Sequence, residues 1–187
     1  MSFEEFRVSV IPQPGSPFAK GCDVTLFRHV VRDIQTIWPA IKPDTIETMR
    51  LFSPKEEREE LLVHQTEAGL FQLTVLWGNV RPDTISIHLR LAYCNPCTIY
   101  APFCSVVEEL MRRYKMCAYC SEPAPPGADA RETLCQHKDI RAVIIPRIVY
   151  GKVLWYSDVQ SAEEAILRPG DAVARFVPSD LTTATAG

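Results

Sequence analysis

Apolar residues alternate with polar ones in four separate stretches of the chain. The first, "FRVSVIP" at 6–12, runs into the Pro/Gly-rich loop "PQPGSP" and predicts a strand. Three more, "ELLVHQTE", "GLFQLTVLWG" and "TISIHLRLAY", follow one another with turn signals at Gly69 and in "NVRPD". Because short turns join neighbouring antiparallel strands, these three predict an antiparallel meander.

The last of these strands has two chemically different sides. Antiparallel sheets tolerate water on one face, so this alternation predicts a sheet with one buried face and one wet or lightly covered face. The predicted buried side comprises Ile85, Ile87, Leu89 and Leu91, and the opposite side comprises Ser86, His88, Arg90 and Ala92.

Helical spacing marks two longer segments. Asp23 is a predicted N-cap for a helix that continues to Trp38 and stops at Pro39. The segment "FCSVVEELMRRY" predicts a second amphipathic helix at 103–116.

The remaining segments carry weaker patterns. "SPKEEREE" predicts a short acidic helical turn with Ser53 as its N-cap. "IRAVIIPRIVY" and "KVLWYSD" predict two strands around Gly151, and Ser161 with Glu164 predicts a capping box that opens a short helix. "DAVARFV" predicts one or two further helical turns.

Together these elements predict one α+β domain at 1–178. Its centre is an antiparallel meander sheet, with the two main helices packed on one face and a C-terminal strand pair completing the core. Residues 179–187, "SDLTTATAG", are predicted to be a flexible tail.

Charge and composition exclude several classes of function. A net charge of −3 leaves no basic footprint for nucleic acid, and no apolar run reaches the roughly 18 residues of a membrane span. The acidic start "MSFEEFRVSV" differs from a secretory signal, so a cytoplasmic location is expected. Seven cysteines, an odd number, fit a set of reduced thiols.

Cysteine pairs raise the question of zinc. The pairs Cys94/Cys97 and Cys117/Cys120 have nearly the spacing of a four-thiolate site, but the predicted helix between them is a rod of roughly 20 Å that holds them apart. No cofactor is therefore expected. The alternative is a structural zinc site across the Pro-rich loop, with the ligands Cys117, Cys120, Cys135 and His137.

The stretch "AYCNPCTIYAPF" resembles the active-site turn of the thioredoxin-like family, with Pro96 before the second cysteine and Pro102 in the following helix. The resemblance implies a thiol–disulfide oxidoreductase in which Cys94 attacks and Cys97 resolves the mixed disulfide. It also implies that "IRAVIIPRIVYG" is a strand with a cis-proline at Pro146. The competing interpretation is an ordinary turn between a strand and a helix.

No other catalytic motif is present, which favours a protein that is not an enzyme. The leading hypothesis is a cytoplasmic protein-binding module of the inhibitor, immunity or accessory-subunit type, since Trp and Tyr dominate interface hot spots. An acidic run beside an aromatic surface suits a basic partner protein. The predicted binding residues are Trp77, Trp155, Tyr156, Glu56, Glu57, Glu59 and Glu60. The oligomeric state is left open.

Overall fold

The computed structural model describes residues 5–19, 21, 23–43, 58–77, 84–122, 124–129, 132–134 and 137–166. Seven strands and three helices lie in these ranges. The strands are β1 (Glu5–Pro12), β2 (Ile41–Pro43), β3 (Arg58–Thr66), β4 (Gly69–Trp77), β5 (Ile85–Ala92), β6 (Met116–Cys120) and β7 (Glu132–Thr133). The helices are α1 (Val24–Ile37), α2 (Tyr100–Tyr114) and α3 (Arg141–Ile166), and a single 3₁₀ turn at Cys97–Ile99 precedes α2.

All seven strands form one antiparallel sheet in the order β2-β3-β4-β5-β1-β6-β7. This confirms the predicted α+β class and the β3–β4–β5 meander. The N-terminal strand is inserted between β5 and β6, with Val10 opposite both Ile87 and Ala118. The centre of the sheet is therefore built from strands that are far apart in sequence.

One face of the sheet, the inner face, carries the core. Phe103 of α2 lies edge-to-face against Phe6 of β1 and Phe71 of β4, with centroids 6.1 and 5.3 Å apart. Phe27 of α1 contacts Trp77 on the same face. Burying such aromatic side chains contributes a large share of core stability. The predicted helix-covered face is thus confirmed.

The opposite, outer face only partly follows the prediction for β5. Ile85, Ile87, Leu89 and Leu91 are fully buried, as expected. On the outer face His88, Arg90 and Ala92 are half-buried, but Ser86 is only 2% exposed. The expectation that Ser86 lies on a wet or lightly covered face is therefore wrong. A small side chain between larger cross-strand neighbours is shielded even on a lightly covered face.

The predicted C-terminal strand pair is wrong, because residues 141–166 form the single helix α3. Ile140, Ile144 and Ile148 recur every four residues and are buried, which is helical spacing. Asp139 accepts hydrogen bonds from the N–H groups of Arg141 and Ala142 at the start of the helix. The β-branched run favoured a strand on propensity, and tertiary packing overrode it.

Two local predictions also change. Arg58–Glu60 belong to β3 and not to an acidic helical turn, and Ser161 and Glu164 lie inside α3 and do not open a new helix. The segments predicted at 53–57, 171–177 and 179–187 fall outside the described residues. None of the described helices combines the length and apolar character needed to cross a membrane.

Candidate functional site

The turn after β5 is built around Asn95, which is 8% exposed. Its Oδ1 accepts a hydrogen bond from the N–H of Leu70 at 2.9 Å, and its Nδ2 donates to the carbonyl of Ala92 at 3.1 Å. Asn–Pro sequences favour turns, and this side chain also ties the turn to the neighbouring β3–β4 hairpin. The position of the Cys94–Cys97 segment is thereby set by a long-range contact.

Two further hydrogen bonds and one close backbone approach hold this turn. Thr98 Oγ1 donates to the carbonyl of Ala68 in the hairpin at 2.8 Å, and Lys152 Nζ of α3 donates to the carbonyl of Asn95 at 3.2 Å. Gly69 adopts φ 138°, and a β-carbon there would lie 3.0 Å from Asn95 Oδ1. Only glycine tolerates this backbone conformation at such close approach. The turn is therefore fixed to both the hairpin and α3.

Cys94 and Cys97 are exposed free thiols on this turn. The other described cysteines, Cys104, Cys117 and Cys120, are buried. Burial raises the pKa of the Cys104 thiol to about 12 and that of Cys120 to about 11, because a thiolate is poorly solvated in the core. Among the described cysteines, only the turn pair is open to reagents in solution.

The middle of α3, residues 149–156, lies beside this turn and carries several exposed or half-buried apolar side chains. Trp155 packs against Tyr93, with ring centroids 6.5 Å apart, and against Tyr156 at 4.7 Å. Leu70, Val153 and Leu154 are 37–38% exposed and are the exposed large hydrophobic residues of the described chain. We call the set Leu70, Val153, Leu154, Trp155 and Tyr156 the apolar end.

The predicted aromatic and acidic surface is divided between two ends of the sheet. Trp77 pairs with Ile85 at the start of β5, whereas Trp155 contacts Tyr93 just after its end. Eight residues of strand separate these points by about 27 Å. Glu60 lies near Trp77, since Arg58 pairs with Trp77 in the same ladder. Glu56, Glu57 and the side chain of Glu59 lie outside the described residues.

The candidate zinc ligands that the structure describes, Cys117, Cys120 and His137, do not converge. Cys117 and Cys120 are three residues apart in β6, so their side chains lie on opposite faces of the strand. His137 Nε2 is paired with Glu132 Oε1 at 2.6 Å, and Cys135 is outside the described residues. Within the described ranges, no three His, Cys, Asp or Glu side chains are grouped closely enough to hold a metal ion.

The structure differs from the thioredoxin-like resemblance at two points. Pro146 lies inside α3, and the described residues contain no cis peptide bond, so the strand with a cis-proline is wrong. β5 pairs antiparallel with both β4 and β1, and Cys97 is the first residue of a 3₁₀ turn that precedes α2. Cys94 and Cys97 are thus presented by a different framework.

His88 on the outer face makes a hydrogen-bonded contact with two serines. Its Nδ1 lies 3.0 Å from Ser9 Oγ and its Nε2 lies 3.3 Å from Ser86 Oγ. Burial, with the charge of Arg90, lowers the pKa of His88, so the neutral ring both donates and accepts. These residues lie in the central ladder between β1 and β5, where backbone N–H groups are engaged in the sheet. The contact is therefore assigned to the stability of the sheet.

Trp155, Tyr156 and the cysteine pair were expected from the sequence. Leu70, Val153, Leu154 and Lys152 were not. The signal for the α3 residues is the run "VYGKVLWY", in which apolar side chains fall on all sides of a helix. Nothing local marks Leu70, because its place beside the turn depends on Asn95, 25 residues away.

Comparisons with protein-family models, with curated proteins and with solved structures find no match to this chain.

Proposed function

We propose that this protein is a non-enzymatic protein-binding module that contacts its partner through the apolar end. The observation that carries the proposal is the exposure of Leu70, Val153 and Leu154 near the Asn95 turn. Trp155 and Tyr156 lie on the same stretch of α3. Interface hot spots are enriched in tryptophan and tyrosine. The assignment is to the class of inhibitors, immunity proteins and accessory subunits.

Preorganisation supports this surface as a binding site. Trp155 is held between Tyr93 and Tyr156, and Lys152 Nζ lies 5.9 Å from the centre of the Tyr156 ring. The same lysine anchors α3 to the Asn95 carbonyl. Side chains that are ordered before binding lose less conformational entropy when a partner docks.

Charge and thiol chemistry support a basic partner and a reducing compartment. The acidic run at 56–60 would attract a basic partner at long range, since Glu60 lies at the other end of the sheet from the apolar end. Two exposed free thiols three residues apart fit a reducing compartment, which supports a cytoplasmic location.

The test is capture of the partner from the native host with three forms of the protein. Leu154→Asp places a charge in the apolar end at an exposed position, so the fold is expected to survive. Ala142→Asp is the matched control, because Ala142 is exposed in the first turn of the same helix, where an acid is favourable. The proposal expects one protein to be retained by the wild type and by Ala142→Asp but lost by Leu154→Asp. Equal retention by all three forms, or recovery of no protein, contradicts it.

A second candidate function is thiol–disulfide exchange, favoured by the exposure of both Cys94 and Cys97. The Cys94 thiolate would attack a substrate disulfide and release one substrate thiolate. Cys97 would then attack the Cys94 sulfur, release the second thiolate and leave a Cys94–Cys97 disulfide. A Cys97→Ser variant would trap the mixed disulfide, and the wild type would reduce insulin with dithiothreitol as the electron donor. Absence of both results contradicts this candidate.

A further inference from the structure

A groove of about 550 Å³ lies where the end of α2 meets the end of β1 and residues 137–140. This volume falls in the range of ligand-binding clefts. Its floor is apolar: Met116 and Ile140 are 1% and 4% exposed, and Met111 is half-buried beside them. Because Met116 and Ile140 are almost fully covered, the half-buried Met111 is the one of these three that offers apolar surface to a ligand.

Basic residues form the rim of the groove. Arg112, Lys115 and Lys138 line it and are exposed. Arg112 is engaged by Glu109, whereas the ammonium groups of Lys115 and Lys138 have no ion-pair or hydrogen-bond partner among the described residues. Glu108, the acidic residue of the lining, is bound to Arg141.

The groove is therefore a locally positive site on a protein whose net charge is −3. Lys115 and Lys138 have no ion-pair partner among the described residues and attract carboxylates, whereas Arg112 is paired with Glu109. The low-dielectric floor strengthens that attraction relative to open water.

Lys115 occupies a backbone position that favours glycine. It caps the C-terminus of α2 with φ 49° and ψ 55°, and its N–H donates to the Met111 carbonyl. Glycine is the usual residue in this left-handed conformation, because a β-carbon is disfavoured there. The helix cap accounts for this conformation, so Lys115→Gly removes the lysine side chain at a position where the backbone favours glycine.

We infer that the groove binds an acidic polypeptide segment of a partner protein. Carboxylates of the segment pair with Lys115 and Lys138, and one of its apolar side chains lies on Met111. This surface is distinct from the apolar end: Met116 pairs with Pro12 at the far end of β1, whereas the Asn95 turn follows the opposite end of β5. The inference therefore does not depend on the proposed function.

The test is fluorescence anisotropy with a labelled octapeptide of six glutamates and two leucines. The double variant Lys115→Gly/Lys138→Ala is expected to weaken binding of this peptide at least tenfold. Lys115→Gly alone is expected to weaken binding while the melting temperature stays equal or rises, which separates binding from folding. Lys42→Ala is the matched control, since Lys42 is exposed on β2 at the other edge of the sheet, and it should bind like the wild type.

Several outcomes overturn the inference. They are equal affinity of the double variant and the wild type, an equal loss in Lys42→Ala, and equal binding of a peptide in which lysines replace the glutamates. Competition by inorganic phosphate at the same charge concentration would assign the groove to free anions. If Lys115→Gly lowers the melting temperature, the peptide affinity of the single variant Lys138→Ala decides instead. An affinity equal to that of the wild type then rejects the site. Leu154→Asp should bind the acidic peptide normally, so failure of the proposed function is distinguishable from failure of this inference.

Discussion

Gly151 of α3 lies directly against the ring of Tyr93. A β-carbon on Gly151 would lie 2.6 Å from Tyr93 Cζ and closer still to the hydroxyl oxygen. Tyr93 is 2% exposed and also packs against Trp155, so its ring has little room to move. This contact sets how closely the middle of α3 approaches the end of β5, and it positions the aromatic residues of the apolar end.

Gly151→Ala is therefore expected to destabilise the protein by about 1–3 kcal/mol through overpacking. The loss should appear although alanine is the better helix former by about 1 kcal/mol in a helix interior. Denaturant unfolding measures it. In a Tyr93→Phe background the same substitution should cost less, because the nearest atom has been removed. A Gly151→Ala variant as stable as the wild type would contradict the close contact.

Arg147 is expected to stabilise the loop after β6. It is 1% exposed, donates to the carbonyls of Glu122 and Asp129, and lies 2.8 Å from Glu132 Oε2. Removing one partner of a buried pair costs about 3–5 kcal/mol, so Arg147→Ala should lose stability on that scale.

Arg147→Lys should not recover the lost stability, because lysine lacks the planar guanidinium that reaches three acceptors. The control is Arg141→Ala at an exposed ion pair with Glu108, which is expected to cost less than about 1 kcal/mol. Equal effects of the two alanine substitutions in urea unfolding would refute the role of burial.

Asp33 joins α1 to α2 and should make the protein sensitive to acid. Burial tends to raise its pKa, but hydrogen bonds from Tyr114 and Arg113 outweigh burial and hold the pKa below its ordinary value of 3.8. The folded state therefore binds this proton less readily than the unfolded state. The stabilisation is present above pH 3.8 and is lost as the pH falls through the lower folded value. Asp33→Asn should flatten this part of a stability profile measured from pH 2 to 6, and an unchanged profile would exclude the effect.

His64 is predicted to add a second, higher pH dependence. Its ring is buried, stacks on Phe71 at 4.4 Å, and has no hydrogen-bond partner among the described residues. Burial lowers the pKa of His64 below the ordinary 6.5. The unfolded chain then takes up a proton near pH 6.5 while the folded protein does not, so stability decreases as the pH falls below that value.

His64→Phe should remove up to one proton from the pH dependence of unfolding between about pH 5 and 7. Burial and the charge of Arg90 also lower the pKa of His88, so His88 should contribute to the slope that remains. Chemical denaturation at several pH values gives both slopes. No change in slope for His64→Phe would show that His64 is protonated equally in both states.

Thiol labelling should separate the cysteines by burial. Cys94 and Cys97 are expected to react with a soluble aromatic disulfide in the native protein, whereas Cys104 and Cys120 react only after unfolding. Peptide mapping after a short labelling pulse assigns each site. Rapid labelling of Cys104 under native conditions would contradict its place in the core.

The strand and helix positions that could be predicted share a strong local pattern. Alternation in β5 and helical spacing in α1 and α2 are properties of consecutive residues, and hydrophobic burial acts on them directly. The same patterns indicated the antiparallel meander, because each turn joins neighbouring strands. The helix between the cysteine pairs also followed from spacing, and α2 spans Tyr100–Tyr114 as a rod between them.

Other features depend on contacts that no local window contains. The run "IRAVIIPRIVY" has strand propensity, yet it is helical because Ile140, Ile144 and Ile148 are buried at a spacing of four residues. The apolar end depends on two long-range hydrogen bonds to Asn95. Its Oδ1 accepts one from the N–H of Leu70, 25 residues away, and its carbonyl accepts one from Lys152 Nζ, 57 residues away. Periodic hydrophobicity is therefore sufficient to set secondary structure where each element buries one clear face. The meeting of side chains from distant segments depends on how those faces pack, and packing is a property of the whole folded chain.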